Sequence, residues 1–139
     1  MSGPFRHPLR VRFHECDPQG IVFNAHFLAY ADIAMTELYR DAFGSWQEAV
    51  DGSGVDMVVA EANVRFLAPL RFDEEVELVA TVTRLGTTGT TTEIAVERDG
   101  SAVAVVTLRH VIVDAESRVK TPIPDSWRTA LAPYSNDPA

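Results

Sequence analysis

An aspartate in a tight turn directly before an apolar helical segment is the first feature of this sequence that could do chemistry. Asp17 is followed by Pro18 and Gly20, and these residue types predict a turn over residues 16–20. The helix expected next begins near Asn24, where the first amide N–H groups of a helix lack intrahelical acceptors. A carboxylate that attacks a carbonyl or activates water, beside N–H groups that stabilise an oxyanion, is a combination suited to hydrolysis.

The segments on either side of this turn have the patterns of a strand and a helix. Residues 9–13 alternate apolar and polar side chains, with the period of two expected for a half-buried strand. Residues 25–39 predict a helix, with Asn24 as its cap and Gly44 as its stop. Only four of those fifteen residues are polar, so we expect other structure to wrap the helix on nearly every side.

The rest of the chain predicts an antiparallel sheet. A loop containing Trp46 and residues 51–54 is expected first, and short connections then join strands at 56–66, 74–84, 90–98 and 102–114. The last strand is apolar at successive positions, so both of its faces should be covered. Because one helix covers one face of a sheet, we expect a second subunit to cover the other face or an edge.

Composition limits the class of protein. A chain of 139 residues that is 46% hydrophobic predicts one domain, 1–139, with a core at about 9–114 and a proline-containing tail at 115–139. The formal net charge of −8 argues against nucleic-acid binding. No apolar run approaches the roughly 18 residues of a membrane span, so no membrane partner is expected. With one cysteine and no signal-like N-terminus, the chain is expected in the cytoplasm.

Residues 13–27, Phe-His-Glu-Cys-Asp-Pro-Gln-Gly-Ile-Val-Phe-Asn-Ala-His-Phe, resemble the active-site motif of the 4-hydroxybenzoyl-CoA thioesterase family. Residues 64–76 are similar to a second, weaker signature, and the order of elements agrees over roughly 9–114. The resemblance implies an α+β hotdog fold, in which an antiparallel sheet wraps around one long central helix. It also implies an acyl-CoA thioesterase for an aromatic or short to medium acyl group. Such an enzyme uses no metal or redox cofactor and works as a homodimer or homotetramer with sites at subunit interfaces.

The resemblance assigns roles to the residues of the motif. In the family, the aspartate matching Asp17 is the nucleophile or general base, and the amide matching Asn24 contacts the thioester oxygen. Gly20 and Phe27 are expected at the substrate. The family commonly has an acid at the position of Asp32, where it can lie near the acyl pocket. A structural hydrogen bond explains a carboxylate on a buried helix equally well.

Three further residues depart from the motif or invite other chemistry. His26 stands where many relatives have asparagine; it contacts the Asp17 loop or the substrate, or it is a helix-terminus histidine without a chemical role. Met57 replaces a polar residue of the hydroxybenzoyl enzyme, which weakens recognition of a phenol hydroxyl. Cys16 is interpreted as a small, half-buried cysteine and not as a nucleophile. The histidines show no ligand spacing, so no metal site is expected.

The coenzyme A site is expected at the hairpin of residues 86–91. Some relatives hold the nucleotide phosphates there with basic residues, whereas this hairpin offers hydroxyls, including Thr88, and backbone amides. The basic residues considered for this role are Arg84, Arg118 and Lys120. Arg84 and Lys120 are taken with Thr88 as the candidate contacts of the substrate's coenzyme A part.

Two other functions remain open at this point. A hotdog dehydratase or hydratase would need a histidine or an Asp/His pair for proton transfer, and His26 with Asp17 or Glu37 is the available candidate. A non-catalytic acyl-CoA-binding protein would keep the fold without turnover. Release of free thiol distinguishes a thioesterase from both.

Overall fold

Residues 3–138 are described by a computed structural model, and this part of the chain contains one five-stranded sheet and three α-helices. The strands are β1 (Phe5–Arg10), β2 (Val55–Phe66), β3 (Glu75–Leu85), β4 (Gly89–Arg98) and β5 (Ser101–Asp114). The helices are α1 (His26–Phe43), α2 (Trp46–Ser53) and α3 (Asp125–Leu131). The α+β class is confirmed. In the described part of the chain, no helix is both long enough and apolar enough to span a membrane.

The sheet is antiparallel throughout, with the strand order β1-β3-β4-β5-β2. The expected bounds of β2 to β5 are confirmed to within one residue. Although a short connection joins β2 to β3, as expected, the two strands are not neighbours, because β2 pairs with β5 at the far edge. Residues 67–74 connect the two strands. Eight extended residues reach about 26 Å, whereas three strand spacings need only about 14 Å.

Helix α1 lies against one face of the sheet and supplies much of the main core. Its buried residues are Phe27, Tyr30, Ala31, Ala34, Met35 and Leu38. The expectation that other structure wraps the helix on nearly every side is wrong for the single chain, because Leu28, Asp32 and Thr36 form an exposed stripe with a spacing of four. Asp32 is therefore not a buried carboxylate. On the face of β5 away from α1, Val105 and Val111 are only half-buried.

Helix α1 ends at its C-terminus as the sequence predicts, but it begins differently. The helix runs to Phe43, and Gly44 ends it with a positive φ of 78°, as expected. At the other end Ala25 is the N-cap residue, and the predicted cap by the Asn24 side chain is wrong. The N–H groups of residues 26–28 instead donate to the carbonyl oxygens of residues 23–25. These backbone hydrogen bonds make a side-chain cap unnecessary.

The first strand lies earlier than the alternating pattern predicts. Strand β1 ends at Arg10, and Phe13–Glu15 form a 3₁₀ turn in which Phe13 is exposed. The cause is Glu15, whose buried carboxylate accepts hydrogen bonds from the Arg12 N–H at 2.7 Å and from the Tyr30 hydroxyl at 2.8 Å. Such side-chain bonds compete with strand pairing.

Two segments without a predicted helix are helical. Ser45 caps α2, where the sequence predicts a loop, by accepting a hydrogen bond from the Glu48 N–H at 3.3 Å. Helix α3 follows Pro124 in the segment where the sequence predicts a proline-containing tail. Trp127 of α3 is buried in a second core cluster with Ile123, Val55 and Ile112.

Candidate active site

The Asp17 turn is confirmed and is held by three hydrogen bonds. The Asp17 N–H donates to the Ile21 carbonyl at 2.9 Å, and the Asp17 carbonyl accepts from the Gly20 N–H at 2.9 Å. Gly20 has a φ of 79°, a conformation that favours glycine. The carboxylate oxygen Oδ1 accepts from the Gln19 N–H at 2.8 Å. The other oxygen, Oδ2, has no hydrogen-bond partner among residues 3–138, so it is available to a ligand.

The Glu15 carboxylate anchors this turn to α1. Its hydrogen bond from Tyr30 is buried, and Glu15 is only 7% exposed. The Glu15 carbonyl also accepts from the Phe23 N–H at 2.9 Å, so the chain is tied together before and after Asp17. Burial, followed by the hydrogen bond to Glu15, raises the pKa of Tyr30, which keeps its proton at neutral pH. Glu15 and Tyr30 are fifteen residues apart and form no short-range sequence pattern, so the sequence did not indicate that they pair.

Two free N–H groups precede α1 on the same side of the fold. In residues 3–138 the N–H groups of Asn24 and Ala25 have no hydrogen-bond acceptor, whereas those of the next three residues do. Asp17, Asn24 and Phe27 line one cavity of about 480 Å³, closed on the other side by Phe66 and Leu67. We call it the Asp17 cavity. The structure thus brings the expected carboxylate residue and the expected amide residue to one space.

The other titratable residues near the motif play no visible part in this cavity. His26 is half-buried, and its ring packs edge-on against His14 at 6.3 Å and Phe23 at 6.4 Å. Among the described residues it makes no hydrogen bond to Asp17. Cys16 is half-buried, and burial together with the charges of Glu15 and Asp17 raises the pKa of its thiol, so it is a poor nucleophile. No three His, Cys, Asp or Glu side chains of residues 3–138 are grouped to hold a metal ion.

A second cavity, of about 460 Å³, lies between α1 and the edge of the sheet at β2 and β5. Its walls include Leu28, Asp32, Tyr39, Trp46, Met57 and His110, and we call it the aromatic cavity. The rings of Tyr39 and Trp46 stack with centroids 4.8 Å apart. The Tyr39 hydroxyl donates to the Met57 sulfur at 3.0 Å. Asp32 and Met57, both expected at the substrate, therefore share this cavity, and the sequence did not indicate Tyr39, Trp46 or His110.

The two cavities follow the same groove between α1 and β2. Phe27 and Phe66 border the Asp17 cavity, whereas the next residue of α1, Leu28, borders the aromatic cavity together with Ala62 of β2. The groove continues towards Trp46, away from Asp17. A ligand held in the groove therefore lies along the exposed stripe of α1.

A third cavity, of about 190 Å³, lies at the hairpin between β3 and β4. It is lined by Arg84, Thr88, Arg109 and Lys120, and we call it the basic cavity. Among residues 3–138 none of its three cations has an ion-pair partner, although the chain has a net charge of −8. The expected set of Arg84, Thr88 and Lys120 thus comes together.

Two corrections apply at the basic cavity. Arg118 lies outside the cavity and pairs with Asp56 at 3.3 Å. Arg109, which the sequence did not indicate, reaches it because it lies opposite Thr91 in the β4–β5 ladder. Gly89 is required by packing there, since a Cβ atom would lie 2.5 Å from the His110 carbonyl oxygen.

Known proteins with related sequences are named for thioester hydrolysis. The acyl-CoA thioester hydrolase YbgC of Escherichia coli O6:H1 is 33% identical over 81 residues, which cover 58% of this chain and 60% of that protein's length. The match therefore spans less than two thirds of that relative. The 1,4-dihydroxy-2-naphthoyl-CoA hydrolase of Thermosynechococcus vestitus is 28% identical over 135 residues, covering 91% of this chain and 90% of that protein.

Structural comparison and a family model agree with these relatives. A solved gentisyl-coenzyme A thioesterase superposes with a TM-score of 0.79 at 26% identity, over 92% of this chain and 99% of that chain. The hotdog fold is thereby confirmed. The model of the family described as the thioesterase-like superfamily matches residues 11–131. Because that match covers most of the chain, this protein belongs to the thioesterase-like superfamily.

Proposed function

We propose that this protein is an acyl-CoA thioesterase that hydrolyses an aromatic or a short to medium acyl-CoA to the free acid and coenzyme A. The observation that carries the proposal is the Asp17 cavity, which is bordered both by Asp17 and by Asn24, whose N–H has no acceptor among residues 3–138. Relatives named for hydrolysis of acyl-CoA, 1,4-dihydroxy-2-naphthoyl-CoA and gentisyl-CoA support the substrate class.

The reaction needs water and two groups of this chain. The thioester carbonyl lies in the Asp17 cavity with its oxygen towards the Asn24 and Ala25 N–H groups, which stabilise the negative charge of the tetrahedral intermediate. Asp17 either attacks the carbonyl carbon, so that the C–S bond breaks and water then cleaves the anhydride, or it takes a proton from an attacking water. Single turnover in oxygen-18 water that labels the Asp17 carboxylate identifies the first route, because the label enters Asp17 only when water attacks the aspartyl carbon of the anhydride. We assign the reaction no metal or redox cofactor and place it in the cytoplasm, where a chain with one cysteine needs no disulfide.

A panel of acyl-CoA substrates, assayed for released thiol, tests the function. We expect hydrolysis of at least one aromatic or short to medium acyl-CoA, with a free acid and one thiol formed per turnover. Water addition to an enoyl-CoA without thiol release would identify a hydratase instead. Tight binding of acyl-CoA without turnover would identify a non-catalytic binding protein. The absence of a hydrogen bond from His26 to Asp17 or Glu37, among the described residues, argues against the hydratase proton pair.

We propose that the basic cavity binds the phosphate groups of coenzyme A. Arg109→Gln should raise the KM for acyl-CoA about fivefold to tenfold with little change in kcat, because it removes one charge-assisted contact at a partly exposed site. The matched control is Arg118→Gln, since Arg118 pairs with Asp56 outside the cavity. The same acyl group on N-acetylcysteamine lacks the phosphates, so its KM should not respond to Arg109→Gln. An unchanged KM for acyl-CoA would contradict the assignment.

We propose that two copies of the chain pair along the free edge of β2, as a homodimer or as the unit of a homotetramer. Residues Val59 to Asn63 of this edge strand are exposed in the single chain, as are Phe66 and Leu67 beyond them. Long apolar edge strands are normally covered. In such a dimer the two β2 strands are related by a two-fold axis and run antiparallel. The start of β2 in one copy therefore lies beside the end of β2 in the other. This arrangement brings the Asp17 cavity of one copy towards the aromatic cavity of the other.

Ala60→Pro tests this pairing. Ala60 is the bulge residue of β2 and is skipped in the β5 register, so the single chain should tolerate proline there. On the free edge, proline removes a backbone donor and adds bulk. We expect light scattering to give at least twice the 15.3 kDa chain mass for the native protein and for Ala60→Ser, and a smaller mass for Ala60→Pro. A native mass of one chain at micromolar concentration would rule out the dimer.

A further inference from the structure

We propose that His110 selects acyl groups that carry a hydrogen-bond-accepting oxygen on their ring, by donating a hydrogen bond from its imidazole inside the aromatic cavity. The inference rests on the proposed thioesterase function and concerns which acyl group the enzyme prefers. Neither the sequence motif nor the resemblance to the thioesterase family assigns a role to this residue.

His110 lies on the face of β5 that α1 covers. It stands opposite Val59 of β2 and opposite Thr90 of β4 in the two ladders. Its ring is edge-on to the Tyr39 ring at 6.4 Å, and the residue is only 6% exposed. The imidazole is nevertheless part of the wall of the aromatic cavity. Besides Asp32, the His110 imidazole is the most polar group of that wall, and it is almost fully buried.

The His110 imidazole makes no hydrogen bond within residues 3–138. Among the described residues Nδ1 is sealed from solvent and has no hydrogen-bond partner. Nε2 is not sealed in this way, and no hydrogen bond of the described residues uses it, so it is the nitrogen of this cavity-lining ring that is open to a ligand. Burial lowers the pKa of His110 to about 4, against a smaller opposing effect of the Asp32 charge. The ring is therefore neutral at physiological pH and has one N–H donor.

The position of that donor follows from which ring nitrogen is sealed. A sealed N–H without an acceptor is less well tolerated than a sealed lone pair. The proton therefore belongs on Nε2, and Nδ1 keeps its lone pair. Because the ring lines the cavity and Nδ1 is the sealed atom, we infer that Nε2–H is the group offered to a ligand. This hydrogen bond requires an acceptor oxygen on the ligand.

The remaining walls define the rest of the ligand. Tyr39 and Trp46 are flat and apolar, and the Tyr39 hydroxyl is already engaged by Met57, so a planar ring without charge suits the space between them. The Asp32 carboxylate is a hydrogen-bond acceptor. A ring ether or carbonyl oxygen therefore has His110 as its donor, whereas a hydroxyl can use either residue. The two side chains recognise different substituents.

The experiment compares substrates of matched size. Benzoyl-CoA derivatives with a methoxy group at the ortho, meta or para position are each paired with an ethyl derivative of the same substitution. Both groups have similar volume, but only the methoxy oxygen accepts a hydrogen bond. The ratio of the two kcat/KM values is measured for the native enzyme, His110→Phe, His110→Gln and His110→Asn. Thermal unfolding shows which variants fold.

We expect the native ratio to favour methoxy at one ring position at least, and His110→Phe to lower that ratio about tenfold to a hundredfold, the effect of one buried hydrogen bond. The Gln amide nitrogen matches the place of Nε2, so His110→Gln should retain more of the preference than His110→Asn, whose amide matches Nδ1. If His110→Phe does not fold, the comparison of His110→Gln with His110→Asn tests the inference instead. Thr92→Val is the control, because the Thr92 hydroxyl on the neighbouring strand is also sealed and has no partner among residues 3–138, but does not line the cavity.

An unchanged ratio in His110→Phe, or equal ratios in His110→Gln and His110→Asn, would overturn the inference while the thioesterase function stands. If no acyl-CoA is hydrolysed, the proposed function fails instead. In that case calorimetric binding of the methoxy and ethyl benzoic acids to the native protein and to the same variants still decides the role of His110. Equal affinities of both acids for all proteins would overturn it.

Discussion

Asp17→Asn should lower kcat/KM for acyl-CoA hydrolysis at least about a thousandfold, because an amide is neither a nucleophile nor a base at neutral pH. The substitution keeps an oxygen that can accept the hydrogen bond from the Gln19 N–H, so the turn should keep its shape. The Tyr30–Glu15 bond that anchors the turn lies elsewhere and is unaffected. Steady-state release of thiol from the best substrate of the panel measures the effect.

The matched control for this prediction is Asp99→Asn. Asp99 is an exposed aspartate in the β4–β5 hairpin with a φ of 51°, a conformation that asparagine adopts readily. This variant changes the same charge at a position that does not line the Asp17 cavity, so its activity should stay within about twofold of the native enzyme. If Asp17→Asn hydrolyses every accepted substrate within a few-fold of the native rate while remaining folded, Asp17 is not the catalytic group.

The side of the Asp17 cavity that carries Asp17 and Asn24 was predictable because these residues are close together in sequence. Asp17, Gly20 and Asn24 lie within eight residues, so the chemistry of one turn and one helix terminus determines their arrangement. Gly44 ended α1 where expected for the same local reason. Strands β2 to β5 were predictable because short turn sequences, such as Asp99-Gly100, separate runs of strand-forming residues.

The remaining parts depend on contacts between distant residues. Arg109 belongs to the basic cavity only through its register opposite Thr91, and His110 reaches the aromatic cavity only because β2 crosses to pair with β5. The exposed stripe of α1 was missed for a related reason. A nearly all-apolar helix suggests complete burial, yet one chain of this length has too few elements to surround it. The uncovered side is the one that the proposed partner and substrate would occupy.

Trp127→Ala should lower the free energy of unfolding by about 3–5 kcal/mol, the usual cost of removing a fully packed aromatic ring. Trp127 is 2% exposed, and its ring centroid lies 5.3 Å from those of both Phe43 and Trp46. It joins α3 to the end of α1 and to the start of α2. Chemical denaturation of the native protein and of the variant gives the difference.

The control for this prediction is Ser126→Ala, the exposed neighbour in α3, which should change the free energy of unfolding by less than about 0.5 kcal/mol. Removing the Trp127 ring should also alter the aromatic cavity, because Trp46 packs between Trp127 and Tyr39. A cavity left behind Trp46 allows its ring to move, so KM should rise for aromatic acyl-CoA more than for acetyl-CoA. A free energy of unfolding within 1 kcal/mol of the native value would mean that α3 is a dispensable tail and not part of the core.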